Sequence, residues 1–191
     1  MKKFKRKGPA IVSHLSTYEV DLLSTLVSQL IEMVADGDPQ SFPAEPSSDD
    51  PFEQWAKEFE TDTTNPEPLE DPVLKRLFPN PYPHDADAAL DFRRYTEHDL
   101  RTKKISDAQV VLNRLQGTEQ GAYPVRIPRE EADEWLRTLT SVRLAVATRL
   151  GITDAVAAEE LSQLPDDDPR AFMMSVYDWL GFAQETLVSA L

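Results

Sequence analysis

Residues 128–151 read PREEADEWLRTLTSVRLAVATRLG, and the period of their apolar side chains decides the fold. Ala132, Trp135, Leu136, Leu139, Val142, Val146 and Leu150 recur at steps of three and four, the spacing that lines them along one face of an α-helix. Pro128 suits a first helical turn, where a missing N–H costs nothing. Glu130, Glu131, Asp133 and Glu134 complement the positive helix start, and Gly151 suits the left-handed stop position. Leu144 points away from the main face, so the helix has a second side to bury. Arg143 falls inside the apolar face, between Leu139 and Val146. Two readings fit it: a structural arginine whose head is paired within the fold, or a guanidinium that binds a ligand.

Working outward, the sequence predicts a mainly α fold, a bundle of about five to six helices around 128–151 with a small N-terminal β-hairpin or minor sheet. Lys3–Lys7 (KFKRK) and Ala10–Leu15 (AIVSHL) flank Gly8-Pro9 and predict the hairpin. Val125-Arg126-Ile127 is a third short β-like run able to pair with it. Ser16-Thr17-Tyr18-Glu19 is a capping box, with Leu15 and Val20 placed as a hydrophobic staple, and the helix it opens runs to about Ala35. Asp71-Pro72 opens a short helix that Pro79, Pro81 and Pro83 close. A long helix starts near Asp85 with an inner face of Ala88, Ala89, Phe92, Tyr95, Thr96 and Asp99. A second capping-box pattern, Ser106 to Gln109, predicts a kink or restart there. Thr153 is expected to cap a short acidic helix, and Pro169 begins the last one. The expected core is Leu26, Leu30, Phe92, Trp135, Leu139, Val146, Tyr177 and Leu180.

Residues 38–71 differ in character, with eleven acids against one lysine and frequent proline and serine. The expected organisation is a single helical domain made of 1–37 and 71–191, interrupted by an acidic Pro-rich linker or surface loop at 38–70. Within it, residues 51–60 (PFEQWAKEFE) place Phe52, Trp55 and Phe59 on one face if helical. This segment either covers the domain's own core or serves as a partner-binding helix.

Charge and composition narrow the function. The 191 residues carry a net charge of −14 and no cysteine, which removes disulfides, thiolate metal sites and a cysteine nucleophile and fits a reducing cytosol. No stretch approaches the ~20 apolar residues of a membrane span, and the basic N-terminus lacks a signal-peptide apolar run. An acidic surface repels nucleic acid and anionic membranes. The three histidines, His14, His84 and His98, fall into no metal-ligand spacing, and there is no phosphate loop, nucleophile elbow or zinc-protease motif. The expectation is therefore no catalytic residue, no metal and no cofactor. Residues 143–162 resemble a helix-turn-helix, with Gly151 at the turn. The second helix offers Asp154, Glu159 and Glu160 where a DNA reader needs cations.

Four segments, 16–30, 71–104, 131–151 and 176–191, resemble an actinobacterial domain-of-unknown-function family. They carry RLFP with a following tyrosine, FRRYT with LRTKK, and the WL…RL…RLG run. The resemblance implies a cytosolic protein, often encoded near the adaptor of the Clp protease and sometimes labelled a transcriptional regulator. It carries over no catalytic residue. The reading is a non-enzymatic cytoplasmic interaction or adaptor module with a protein partner, with a homodimer open and a transcriptional regulator as the alternative. Within the fold, Arg143 is expected to form a buried ion pair with Asp99.

Overall fold

The computed structural model describes residues 1–36, 69–165 and 167–191. Among them are six α-helices and one three-stranded sheet, the mainly α architecture expected. Strands β1 (Lys5–Lys7) and β2 (Ala10–Ser13) form the hairpin, and β3 (Val125–Pro128) adds to β2, giving the antiparallel order β1-β2-β3. Gly8 takes φ +63° at the turn, a conformation that costs glycine nothing. Ile11 and Ile127 pair across the sheet and are buried on its core side.

Helix α1 (Thr17–Ala35) starts at the predicted capping box: Ser16 and Glu19 each bond the other's backbone N–H, and Leu15 and Val20 are both buried. Helix α2 (Pro72–Leu77) is capped by Asp71, whose carboxylate accepts from Val73 N–H at 2.7 Å. Helix α3 (Ala86–Gln116) is 31 residues long and runs through Ser106 without the expected restart. Gln109 donates to Asn113 at 3.2 Å rather than reaching back to cap Ser106, and no glycine or proline interrupts the run. Packing of both halves of α3 overrides the local capping signal.

Helix α4 (Ala132–Leu150) is the predicted central helix. It begins later than expected, because Pro128 closes β3 and a single 3-10 turn, Arg129–Glu131, intervenes. It ends at Gly151, left-handed at φ 76°. It packs against α1, α2, α3 and the last helix, α6 (Pro169–Val188). The short α5 (Ala155–Ser162) lies on α6 and is capped by Asp154, not Thr153. Trp135, Leu139, Val146, Leu30 and Leu180 are buried as expected. Leu26 and Tyr177 pack at the edge of the same cluster. Phe92 lies outside it, half-buried and edge-to-face with Tyr82 at 6.1 Å. Elements before residue 37 and after residue 68 share this one apolar cluster.

Candidate interaction groove

The inner stripe of α3 is not the one its apolar residues suggested. Of its seven buried residues, Ala89, Glu97, Arg101, Ala108, Val111 and Leu115, with half-buried Arg93 and Lys104 between them, follow steps of three and four, and Asp107 is buried beside Ala108. Tyr95 is 66% exposed and Asp99 is also exposed, so the expected face was displaced around the helix. Half of the true stripe is charged. Arg101 is wholly buried and Glu97 nearly so. Arg101 donates to Glu97 from Nε at 2.9 Å and from Nη2 at 2.7 Å. Its remaining terminal nitrogen donates to the Val34 carbonyl of α1, and its guanidinium lies 5.0 Å from the Phe78 ring centroid. Arg93 completes Glu97 at 2.7 Å. A buried charge needs partners for every polar atom, and Arg101 obtains its partners by joining the last turn of α1 to the end of α2.

One turn and two turns further along α3, Lys104 and Asp107 continue this layer. Lys104 donates to Ser141 of α4 at 3.3 Å, and burial lowers its pKa against the opposing pull of Asp107. Burial pushes the Asp107 carboxyl up, but hydrogen bonds from Arg137 and Lys103, at 2.7 and 2.8 Å, more than reverse this and hold it below the ordinary range.

Between α1, α2, α4 and α6 lies an open cavity of about 680 Å³. Leu26, Leu30 and Met33 of α1, Val73 of α2, Val146 of α4 and Met173 of α6 give it an apolar wall. An Arg149–Asp71 ion pair at 2.6 Å closes one rim. Asp36 and Leu69, the described residues on either side of 37–68, both line it. Gln29, Glu32 and Glu70 line it too, so the apolar wall is accompanied by a mainly acidic polar lining, the make-up of a binding groove for an amphipathic segment.

Arg143 sits elsewhere on α4. It does not meet Asp99, because Asp99 faces solvent from α3 while Arg143 faces α6. Its guanidinium lies 4.3 Å from the Tyr177 ring centroid, with Gln184 Oε1 at 3.5 Å from Nη1. A Cβ on Gly181 would come within 3.1 Å of Nη2. The planar head is therefore held by stacking and by a missing side chain rather than by a carboxylate. Phe52, Trp55 and Phe59 lie outside the described residues. His14, His84 and His98 are all exposed, and among the described residues no group of three or more acids and histidines is arranged to hold a metal. The helix-turn-helix-like segment has a real turn, with Ile152 buried behind Gly151, but α5 presents Glu159 and Glu160 to solvent. No described helix is long and apolar enough to cross a membrane.

The Glu97–Arg101 pair escaped the sequence reading, although two signals were present. Arg93, Glu97 and Arg101 stand four residues apart, and stepping back from Leu115, Val111 and Ala108 lands on them.

The whole chain, residues 1–191, matches a family described as Domain of unknown function (DUF2017). A relative from Mycobacterium leprae (strain TN), called AosR, is 30% identical over 208 residues spanning 100% of this chain and 88% of its own. Proteins of Mycobacterium bovis (strain ATCC BAA-935 / AF2122/97) and Mycobacterium tuberculosis (strain ATCC 25618 / H37Rv), each named oxidative stress regulator AosR, are 28% identical, covering 97% of this chain and 84% of theirs. No solved structure matches the chain.

Proposed function

As this chain belongs to the DUF2017 family and its mycobacterial relatives compared above are named oxidative stress regulators, we propose that it is a non-enzymatic, cytosolic regulatory protein that works by docking a protein partner. The observation that carries this reading is the apolar groove between α1, α2, α4 and α6, open beside Asp36 and Leu69. The segment between those two residues contains Phe52, Trp55 and Phe59, which have the chemistry and spacing of helix-in-groove anchors. Large aromatics and an apolar cavity in one chain suit exchange between self-contact and partner contact.

The absence of cysteine bears on the regulatory role. Any oxidant response built into this chain cannot use thiol chemistry; its methionines are oxidisable, and Met33 and Met173 line the groove. The test is affinity capture with the wild-type chain and with Phe52, Trp55 and Phe59 all changed to alanine. Loss of a specific partner from the variant supports the reading; equal recovery from both removes the aromatic segment from it. Light scattering of the purified chain tests whether a second copy is the partner.

The alternative is a transcriptional regulator using 143–162, favoured by the left-handed Gly151 turn. A DNA titration across salt concentrations discriminates the two, since phosphate contacts give a steep salt slope. No binding at low salt rejects direct DNA reading.

A further inference from the structure

The outer face of the small sheet carries the opposite charge to the rest of the molecule. The register pairs Lys5 with Val12 and Val12 with Arg126, so these three side chains lie in a row on one face. Lys7 shares the parity of Lys5 along β1, Lys3 is exposed just before the strand, and Arg6, paired with Ile11 on the other face, is exposed as well. Val12 is only 4% exposed between its two cationic neighbours. Lys2, Lys3, Lys5, Arg6, Lys7, Arg126 and Arg129 make no ion pair among the described residues, while the ion pairs that do form belong chiefly to the helices. In a chain with 34 acids against 20 Lys and Arg, these seven cations, four in the small sheet and three in the residues flanking its strands, form a concentrated positive field.

β1 is also a strand edge with no described strand on its outer side. Every second residue of such a strand turns its N–H and C=O away from its partner. The edge is held in place: Phe4 is buried edge-to-face against Trp135 at 6.2 Å, and the Lys2 N–H bonds the His14 carbonyl at 2.9 Å. Lysine on an edge strand also guards against unwanted pairing. That protection needs only an inserted charge, and it leaves Arg126, two strands away, and Arg129 unexplained.

We propose that β1 is a docking edge for an acidic, extended segment of a partner protein, which adds as a fourth strand and places its alternate carboxylates against Lys5 and Lys7, while Arg126 adds to the positive field from two strands away. This rests on the protein-docking reading above and assigns it a second contact, remote from the groove. Strand addition gives the backbone hydrogen bonds, and the cations give the selectivity. Duplex DNA offers phosphate charge but no strand to pair.

The test uses the full-length ¹⁵N-labelled chain at low salt with three probes: a 12-residue peptide alternating glutamate and threonine, a peptide alternating glutamate and proline, and a 12-base-pair DNA duplex. The Glu-Thr peptide is expected to shift the amides of residues 2–7. The Glu-Pro peptide is equal in charge but lacks the N–H of every second residue, the residues that must face β1 when the glutamates stand opposite Lys5 and Lys7, and is expected to leave them in place. The double variant Lys5→Glu/Lys7→Glu, both residues exposed and its fold checked by circular dichroism, is expected to weaken Glu-Thr binding roughly tenfold or more. Equal binding of the two peptides overturns strand addition. Binding of the duplex alone assigns the face to nucleic acid and overturns the proposal, as does no shift with any probe. A charge-reversed chain that still captures its partner at wild-type level removes this edge while leaving the groove reading standing. Loss of capture on alanine substitution of Phe52, Trp55 and Phe59 with unchanged Glu-Thr binding separates the two sites.

Discussion

Replacing Arg101 with methionine tests the charged layer of α3 directly. Methionine matches the arginine stem in length and keeps the contact with Phe78, so packing loss is small. What disappears is the donor set: two bonds to Glu97, one to the Val34 carbonyl, and the cation over the Phe78 ring. Glu97 is then a carboxylate only 5% exposed, with Arg93 as its remaining ion-pair partner at 2.7 Å. Removing one member of a buried pair costs about 3–5 kcal/mol. Because Arg93 keeps part of the charge compensated, the lower end applies, about 3 kcal/mol. For a chain of this size that lowers the melting temperature by roughly 6–12 °C. The double variant Arg101→Met/Glu97→Met removes the stranded charge and is expected to recover a large share of the loss, since apolar replacement of a whole buried pair is often neutral or stabilising. Urea unfolding followed by circular dichroism gives all corners of the cycle. A single variant within about 1 kcal/mol of wild type, or a double variant whose loss is the plain sum of the two single losses, refutes the argument that this pair is a mutually dependent buried unit.

Three further outcomes follow from the same geometry. Arg143→Leu is expected to cost no more than about 1–2 kcal/mol, the range of a cation–π contact, because no carboxylate is stranded; a loss of about 4 kcal/mol in urea unfolding would restore a buried ionic partner. Asp107→Asn is expected to destabilise at neutral pH. The Asp107 pKa is depressed from its ordinary 3.8 in the folded state, so its contribution is fully present above that value and fades as pH falls through the folded pKa; a wild-type-to-variant difference that persists undiminished at pH 2 would contradict this. Gly121→Ala is expected to cost about 2 kcal/mol or more in thermal melts: φ is +87° and a Cβ would sit 2.9 Å from the Leu15 carbonyl oxygen, backbone that cannot swing aside.

What the sequence made legible was whatever local rules govern. The Ser16–Glu19 box, the Gly8 turn, the Gly151 stop and the α4 stripe each depend on residues within a few positions of one another, and all formed. The misplaced elements depended on distant partners. The Ser106 box lost to packing on both sides of it. The inner face of α3 was assigned by hydrophobicity, but there burial is decided by Val34 and Phe78, residues brought close only by the bundle. Arg143 was recognised as out of place on an apolar stripe, yet its neighbours, Tyr177, Gly181 and Gln184, lie on another helix. A cation can be stabilised by a ring face as well as by a carboxylate, and spacing within one helix does not distinguish them. The groove itself was beyond reach, since it is made by four helices meeting around unfilled space.

The single unbroken α3 joins two halves held by different physics. From Ile105 onward its inner stripe is Ala108, Val111 and Leu115, buried in the apolar cluster. Before that, its inner stripe depends on Glu97 and Arg101, which gain from burial only after the ends of α1 and α2 have closed over them. Backbone amides in the second half are therefore expected to exchange their hydrogens only when the bundle as a whole opens. Those between Leu90 and Arg101 are expected to exchange through a smaller opening that releases the α1 end and α2 together. One continuous helix is thus expected to span two cooperative units, and the α1 end and α2, which close over the weaker one, also line the groove.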